Sequence, residues 1–289
     1  MEGTIIKAYG GFYFVRVAEE IYRCAIRGKI RRQLGQALVG DRVRVQPVNA
    51  QEGVVEEILP RRTELIRPPV ANVEQAVIVF AVKHPDPNLA LLDRFLVQAQ
   101  AAGVAPVICF NKIDLADAAE LNIVNHYKPA GHPIVRVSAK TGINLDDLRE
   151  ILRGRITVLA GPSGVGKSSL LNALQPGLGL ETGGISRKLK RGRHTTRHVE
   201  LIPLAGGGLV ADTPGFSSMF LPPMRREELA GYFPEFGVYE PQCRFAGCLH
   251  HREPGCAVKE AVVQGQISSL RYQHYLDLLT EVIEAERRY

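Results

Sequence analysis

Asn111-Lys112-Ile113-Asp114 sets a carboxylate three residues after an amide, at the end of the apolar run Val107–Phe110. Asp114 in that setting can accept two hydrogen bonds, from guanine N1–H and from the 2-amino group; adenine offers neither, so discrimination is large. The Lys112 stem can lie on the base plane. In Ser138-Ala139-Lys140 the Ala139 N–H can reach guanine O6. A phosphate loop follows, Gly161-Pro162-Ser163-Gly164-Val165-Gly166-Lys167-Ser168-Ser169, between an apolar strand and a helix. Its glycines turn backbone N–H groups toward phosphates, Lys167 reaches the β- and γ-phosphates, and the Ser168 hydroxyl ligates Mg²⁺. Asp212-Thr213-Pro214-Gly215 then ends another apolar strand. Asp212 can hold Mg²⁺ through water, and the Gly215 N–H can bind a γ-phosphate and swing away when it leaves. Taken singly, N-K-x-D reads as a helix start and D-x-P-G as a turn. Four such motifs at four strand ends leave those readings little room. Their order is inverted: the base motifs precede the phosphate loop, so the chain is expected to contain a circularly permuted GTP-binding domain.

Between the phosphate loop and Asp212 lies Ser186–Arg197, with six Lys and Arg in twelve residues. By position it is the first nucleotide switch, and Thr195 or Thr196 completes the Mg²⁺ site. Alone, so basic a loop is solvated; phosphate-rich RNA would order it. Many GTPases orient the attacking water with a Gln directly after D-x-x-G. Phe216 stands there and can neither donate nor accept, so intrinsic hydrolysis is expected to be slow. Gly164 occupies a position where potassium-dependent GTPases often carry Asn, which counts against an ion as the substitute. His194 is the best candidate in the loop, against the reading of a surface histidine.

Cys243-x4-Cys248-x-His250-x5-Cys256 offers three thiolates and an imidazole, a sufficient set for one closed, structural Zn²⁺. His251 competes with His250 for the fourth place. Cys24 and Cys109 sit in strand patterns and read as small core residues.

The elements that must position these groups fall into three segments. Residues 1–68 show five short alternating strands, Thr4–Tyr9, Phe12–Val17, Ile21–Ile26, Arg42–Gln46 and Val54–Ile58, which suit an oligonucleotide-binding (OB) type β-barrel. They carry 12 Lys and Arg against 8 Asp and Glu, a large share of the chain's net charge of +6. Arg27, Lys29, Arg31 and Arg32 lie between the third and fourth strands. Arg67-Pro68-Pro69 reads as a linker. Residues 69–220 alternate strands (Ala76–Val82, Pro106–Phe110, Ile134–Val137, Ile156–Ala160, Gly208–Ala211) with helices (Leu89–Ala102, Ala118–His126, Leu145–Leu152, Lys167–Leu174), the pattern of a doubly wound α/β P-loop domain. Residues 221–289 hold the Cys/His cluster and helical spacing over Val258–Ser269 and Leu270–Glu286, and read as an independent zinc-stapled module. Asp93-Arg94 reads as a surface or intradomain ion pair. The amino terminus lacks the charged and apolar regions of a signal peptide, and no apolar run is long enough to span a bilayer. A cytoplasmic, monomeric protein without membrane contact is the expectation.

The permuted order, the barrel in front and the Cys/His tail, together with GPSGVGKSSLLNAL, GRHTTRHVEL, ADTPGFSS and CRFAGCLHHREPGC, resemble the ribosome small subunit-dependent GTPases of the YjeQ/RsgA type along essentially the whole chain. That resemblance implies hydrolysis of GTP to GDP and phosphate, stimulated by the small (30S) ribosomal subunit, in late assembly of that subunit with binding to its rRNA. It also points to His194 as the water-positioning group and to His250 as the fourth zinc ligand. The rival is a GTP-gated RNA-binding module whose hydrolysis is incidental.

Overall fold

In the computed structural model, residues 1–26, 37–66, 68–117, 120–180, 199–211 and 221–287 are described. Five strands, β1 (Glu2–Tyr9), β2 (Phe12–Val17), β3 (Glu20–Ile26), β4 (Arg42–Pro47) and β5 (Glu52–Ile58), close into the expected barrel in the order β1-β2-β3-β5-β4. Their period-2 pattern turns Ile5, Val15, Cys24, Val43, Val45 and Val55 inward. Asp41, fully buried, accepts from Arg61 Nε at 2.7 Å and Nη2 at 2.9 Å, and its Oδ2 takes the Leu38 N–H at 2.7 Å. That tie holds the chain leaving β5 against the barrel.

The linker reading is corrected at Pro68 and Pro69; Arg67 lies outside the described residues. β6 (Glu64–Ile66) and β7 (Pro69–Ala71) form a hairpin, with Pro69 opening a strand, where a missing N–H is tolerated. Gly40 packs so closely on it that a Cβ would lie 2.0 Å from the Ala71 carbonyl oxygen.

The central sheet has the order β10-β9-β8-β11-β13-β12, from β8 (Gln75–Ala81), β9 (Ala105–Asn111), β10 (Ile134–Arg136), β11 (Ile156–Ala160), β12 (Leu201–Pro203) and β13 (Leu209–Ala211). All neighbours are parallel except the edge strand β12, which the sequence pattern did not reveal. Helices α1 (Leu89–Ala101), α2 (Leu145–Leu152) and α3 (Lys167–Leu174) match the expected spans closely. Residues 120–126 instead wind as a 3₁₀ segment. Two Asn and two β-branched residues in seven weaken the α-helix there, and 3₁₀ geometry serves short pieces. The chain runs outward from β8 to β10, then returns to β8's other side with β11. The halves therefore meet at the β8–β11 seam, the topological switch point where ligands bind beyond the strand ends.

The tail holds three 3₁₀ turns, then α4 (Ala257–Val263) and α5 (Ser269–Glu286). The first of these helices is shorter than its pattern suggested because Gly265, at φ +73°, ends it, and Ser268 caps the next by accepting the Arg271 N–H. One apolar core runs from the barrel (Ile5, Val15) through the hairpin (Leu65, Val70) into the sheet (Ile156, Leu209). The tail has its own core around Phe233, Phe236 and Tyr275, which takes in Val97 of α1. No described helix is long and apolar enough to cross a membrane.

Candidate functional site

The phosphate loop leaves β11 through Gly161, at φ +125°, where a Cβ would sit 2.1 Å from the Val79 carbonyl oxygen. Only glycine permits that approach to β8. Lys167, the first residue of α3, donates through Nζ to the Gly161 and Pro162 carbonyls at 2.7 Å each, which holds the ammonium within the loop. Val165 is buried, whereas Ser163 and Gly164 are exposed and Pro162, Gly166, Ser168 and Ser169 are half-buried.

Asn111, 1% exposed at the end of β9, bridges the two halves of the permuted domain. Its Nδ2 donates to the Val165 carbonyl at 2.9 Å and its Oδ1 accepts the Ala139 N–H at 3.1 Å. A Cβ on Gly166 would lie 2.4 Å from that Nδ2, so the third loop glycine makes room for the strut. Lys112 adds a second bridge: Nζ donates to Gly164 O at 2.7 Å and to His84 O. Desolvation lowers the Lys112 pKa, opposed by the charge of Asp114.

Asp114 sits half-buried in the turn after β9 and accepts from the Ser138 hydroxyl at 2.6 Å. Ser138, fully buried, also takes the Thr141 N–H on its Oγ at 3.1 Å, which shapes the loop that carries Ala139 and the exposed Lys140. Because the Ala139 N–H already serves Asn111, presenting it to guanine O6 requires that bond to be shared or released. The six base-side residues and the phosphate loop are thus gathered at the C-terminal ends of β9, β10 and β11. His194, Thr195, Thr196, Asp212, Gly215 and Phe216 lie outside the described residues, as do Arg27, Lys29, Arg31 and Arg32.

The ligand atoms of Cys243, Cys248, His250 and Cys256 all lie within 4.8 Å of one another. Tetrahedral Zn²⁺ at its usual bond lengths requires S···S of roughly 3.8 Å and S···N of roughly 3.6 Å. Cys243 and Cys256 sulfurs are 3.9 Å apart, and His250 Nδ1 lies 3.7 Å and 3.4 Å from them. The donor set therefore fits zinc. His251 is not in the group; its backbone N–H donates to Glu253 instead. Burial pushes the Cys248 thiol up to about 12, so a cation is needed to draw the proton off.

Sequence reasoning missed the joint between tail and α1. Asp93, read as an external or intradomain pair, is buried and bonded across to the tail: Oδ1 to Arg271 Nη1, Oδ2 to His274 Nδ1 at 2.6 Å. Arg271, 1% exposed, also meets Glu235 through Nε at 2.5 Å and Nη2 at 3.1 Å, between the rings of Tyr127 and Phe233. Burial raises the Asp93 pKa, while Arg271 and His274 pull it down. Arg94 makes a bidentate pair with Glu281 at 2.8 and 2.6 Å. The independent-module reading is thereby corrected. The only sequence signal was a pair of charges on an otherwise apolar helix face.

The RsgA GTPase family model matches residues 58–222, and the RsgA N-terminal domain model residues 2–55. The chain belongs to the RsgA GTPase family. It is 51% identical over 289 residues, all of both chains, to a protein of Moorella thermoacetica called small ribosomal subunit biogenesis GTPase RsgA. A protein of the same name from Geobacillus kaustophilus is 50% identical, with 100% of this chain and 99% of that one covered. Among solved structures, YjeQ from Thermotoga maritima superposes with a TM-score of 0.85 at 40% identity, covering 98% of each chain. YloQ, described as a circularly permuted GTPase, gives 0.84 at 43% identity, covering 100% of this chain and 96% of that one. The barrel, the permuted P-loop domain and the tail are thus those of an RsgA-type GTP hydrolase.

Proposed function

We propose that this chain hydrolyses GTP in the cytoplasm on the small ribosomal subunit, in contact with its rRNA, during the subunit's late assembly. The observation that supports it most is the Asn111 strut: it couples the base motif to the phosphate loop across the β8–β11 seam. The partner follows from full-length similarity to proteins named for small-subunit biogenesis. In this reading residues 1–68 are an RNA-binding barrel, 69–220 the GTPase domain and 221–289 the zinc domain of a monomer.

Asp114 selects guanine, with the Lys112 stem on the base plane and Ser138, Ala139 and Lys140 as the second wall. Gly161 to Ser169 cradle the phosphates. When bound, Mg²⁺ neutralises charge between the β- and γ-phosphates; Ser168 and one of Thr195 or Thr196 would hold it, with Asp212 acting through water. Zn²⁺ on Cys243, Cys248, His250 and Cys256 staples the tail. Phe216 supplies no water-orienting group, so rRNA contact orders the basic loop and brings His194 to the water.

GTP turnover measured alone, with small subunits and with large subunits tests this. Only small subunits should stimulate it, and His194→Ala should bind GTP normally while losing the stimulation. Equal or absent stimulation by the two subunits sinks the partner; undiminished stimulation of His194→Ala sinks the role of His194.

A further inference from the structure

At the pole opposite the nucleotide loops, where β8, β11 and β13 enter the sheet, lies a groove of about 320 Å³. That is near the lower end of the size range of small-ligand clefts. Arg42 reaches it from the barrel, Arg62 from the strand-β6 approach and Arg155 from the turn before β11. All three side chains are exposed, and cations converging from three parts of the chain attract an anion more strongly than any one of them alone. The protein supplies little. Glu74 is the one carboxylate in the lining, and its Oε2 already accepts the Ile156 N–H at 3.0 Å. Arg42 shares Glu2 on the barrel wall at 3.2 Å. Arg155 donates to the neutral Gln75 amide oxygen at 2.9 Å. The Arg62 guanidinium has no side-chain hydrogen bond or ion pair among the described residues.

The floor is built to stay open. Gly208, at φ +97°, lies so close to α2 that a Cβ would stand 2.2 Å from the Leu152 carbonyl oxygen, so no side chain can rise there. Guanidinium forks match phosphate oxygens two at a time, and walls on several sides suit a tetrahedral anion better than a planar carboxylate.

We propose that this groove is a phosphate-binding site, separate from the nucleotide site. Its walls belong to the barrel, the hairpin region and the GTPase sheet, so a phosphate there braces all three. β13 links its floor to Asp212 over three residues, about 10 Å of strand. The phosphate can come from an RNA backbone, which rests on the function proposed above, or from a free phosphorylated small molecule, which does not.

Full-length Arg62→Glu, Arg155→Glu and the double variant distinguish these sources, with Arg62→Lys as the charge-conserving control. In one arm, small-subunit affinity is measured against salt concentration. An RNA phosphate predicts roughly tenfold weaker binding per reversal and a salt slope reduced by about one, with Arg62→Lys keeping the salt slope but binding between wild type and Arg62→Glu, because it keeps the charge and loses the fork. In the other arm, the GDP-loaded protein is titrated with inorganic pyrophosphate by calorimetry. A free ligand predicts binding to wild type that the reversals abolish. Unchanged behaviour in both arms overturns the site. A wild type that fails to bind small subunits defeats the functional reading, and the groove then stands or falls on the pyrophosphate arm. Intrinsic GTP turnover should not change in any variant.

Discussion

Guanine differs from adenine at the edge that Asp114 is proposed to meet, and the Ser138 hydroxyl, 2.6 Å away, holds that carboxylate in one orientation. Two hydrogen bonds to a charged acceptor are worth about 1.5–3 kcal/mol each. Asp114→Ala should therefore weaken GTP binding by roughly 10²- to 10⁴-fold in a fluorescent-nucleotide titration, while leaving the feeble affinity for ATP unaltered. Near-normal GTP affinity would refute the assignment. Ser138→Ala should cost about 1 kcal/mol, several-fold in affinity, because it frees the carboxylate without removing it. Gly166→Ala is a different kind of lesion. Its methyl would enter the 2.4 Å space beside Asn111 Nδ2 at φ +98°, so the strut must break, and both nucleotide binding and thermal stability should fall together. The position of Asp114 was legible in the sequence because it is set locally: a carboxylate just past a strand end. The role of Asn111 was not. Its partner Val165 is 54 residues away, and only the parallel seam of β8 with β11 brings the two within reach.

Helix α1 shows the same limit at the scale of elements. Its span was readable from apolar spacing and from Asn88, whose side chain accepts the Leu91 N–H at its start. That its acid would be buried was not, since Asp93 finds Arg271 178 residues later. A buried ion pair adds little stability over apolar packing, but removing one partner strands the other charge. Asp93→Ala should lower the unfolding free energy of the tail by about 3–5 kcal/mol, read by urea titration followed at tail tyrosines. A loss under 1 kcal/mol would mean that water reaches Arg271. The half-exposed Arg94–Glu281 pair behaves differently. Its hydrogen bonds to Arg94 hold Glu281 below its ordinary 4.5, so its contribution is whole above that pH and is lost as pH falls through the depressed value. The stability difference between wild type and Arg94→Ala should accordingly be constant above pH 5 and shrink below pH 4.5; a difference that grows on acidification would reverse the sign. The zinc loops depend on neither pair. Tyr272 and Tyr275 donate to the His250 and Leu249 carbonyls at 2.7 Å, so they rest on α5 from outside. Chelation should raise hydrogen exchange across residues 243–256 and leave α1 protected.

At the scale of the molecule, the two outer parts are joined to the GTPase sheet in physically different ways. The barrel shares a continuous apolar core with the hairpin and the sheet, and Lys7 pairs with Glu200 at 3.0 Å, just before β12. Parting that joint would expose apolar surface at about 25 cal/mol per Å², with little regained from the already partly hydrated Lys7–Glu200 pair. The tail keeps its own core, meets Asp93 of α1 through its own Arg271 and His274, with Glu235 beside Arg271, and those charges regain hydration if it disengages. The chain also passes from β13 through Asp212–Gly215 into the tail, whereas the base half continues back to the barrel. On the proposed mechanism, loss of a γ-phosphate would therefore act on the more separable joint. Spin labels at the exposed positions Val48, Leu115 and Val263 report barrel, base half and tail in turn. Between a GTP analogue and GDP, the Val48–Leu115 distance should hold while the Val263 distances change. Asp93→Ala should broaden the Val263 distributions in both states, because the tail then lacks its fixed seat. Identical Val263 distances with both nucleotides would remove the tail from the switch and leave the barrel as the only part that nucleotide state could move.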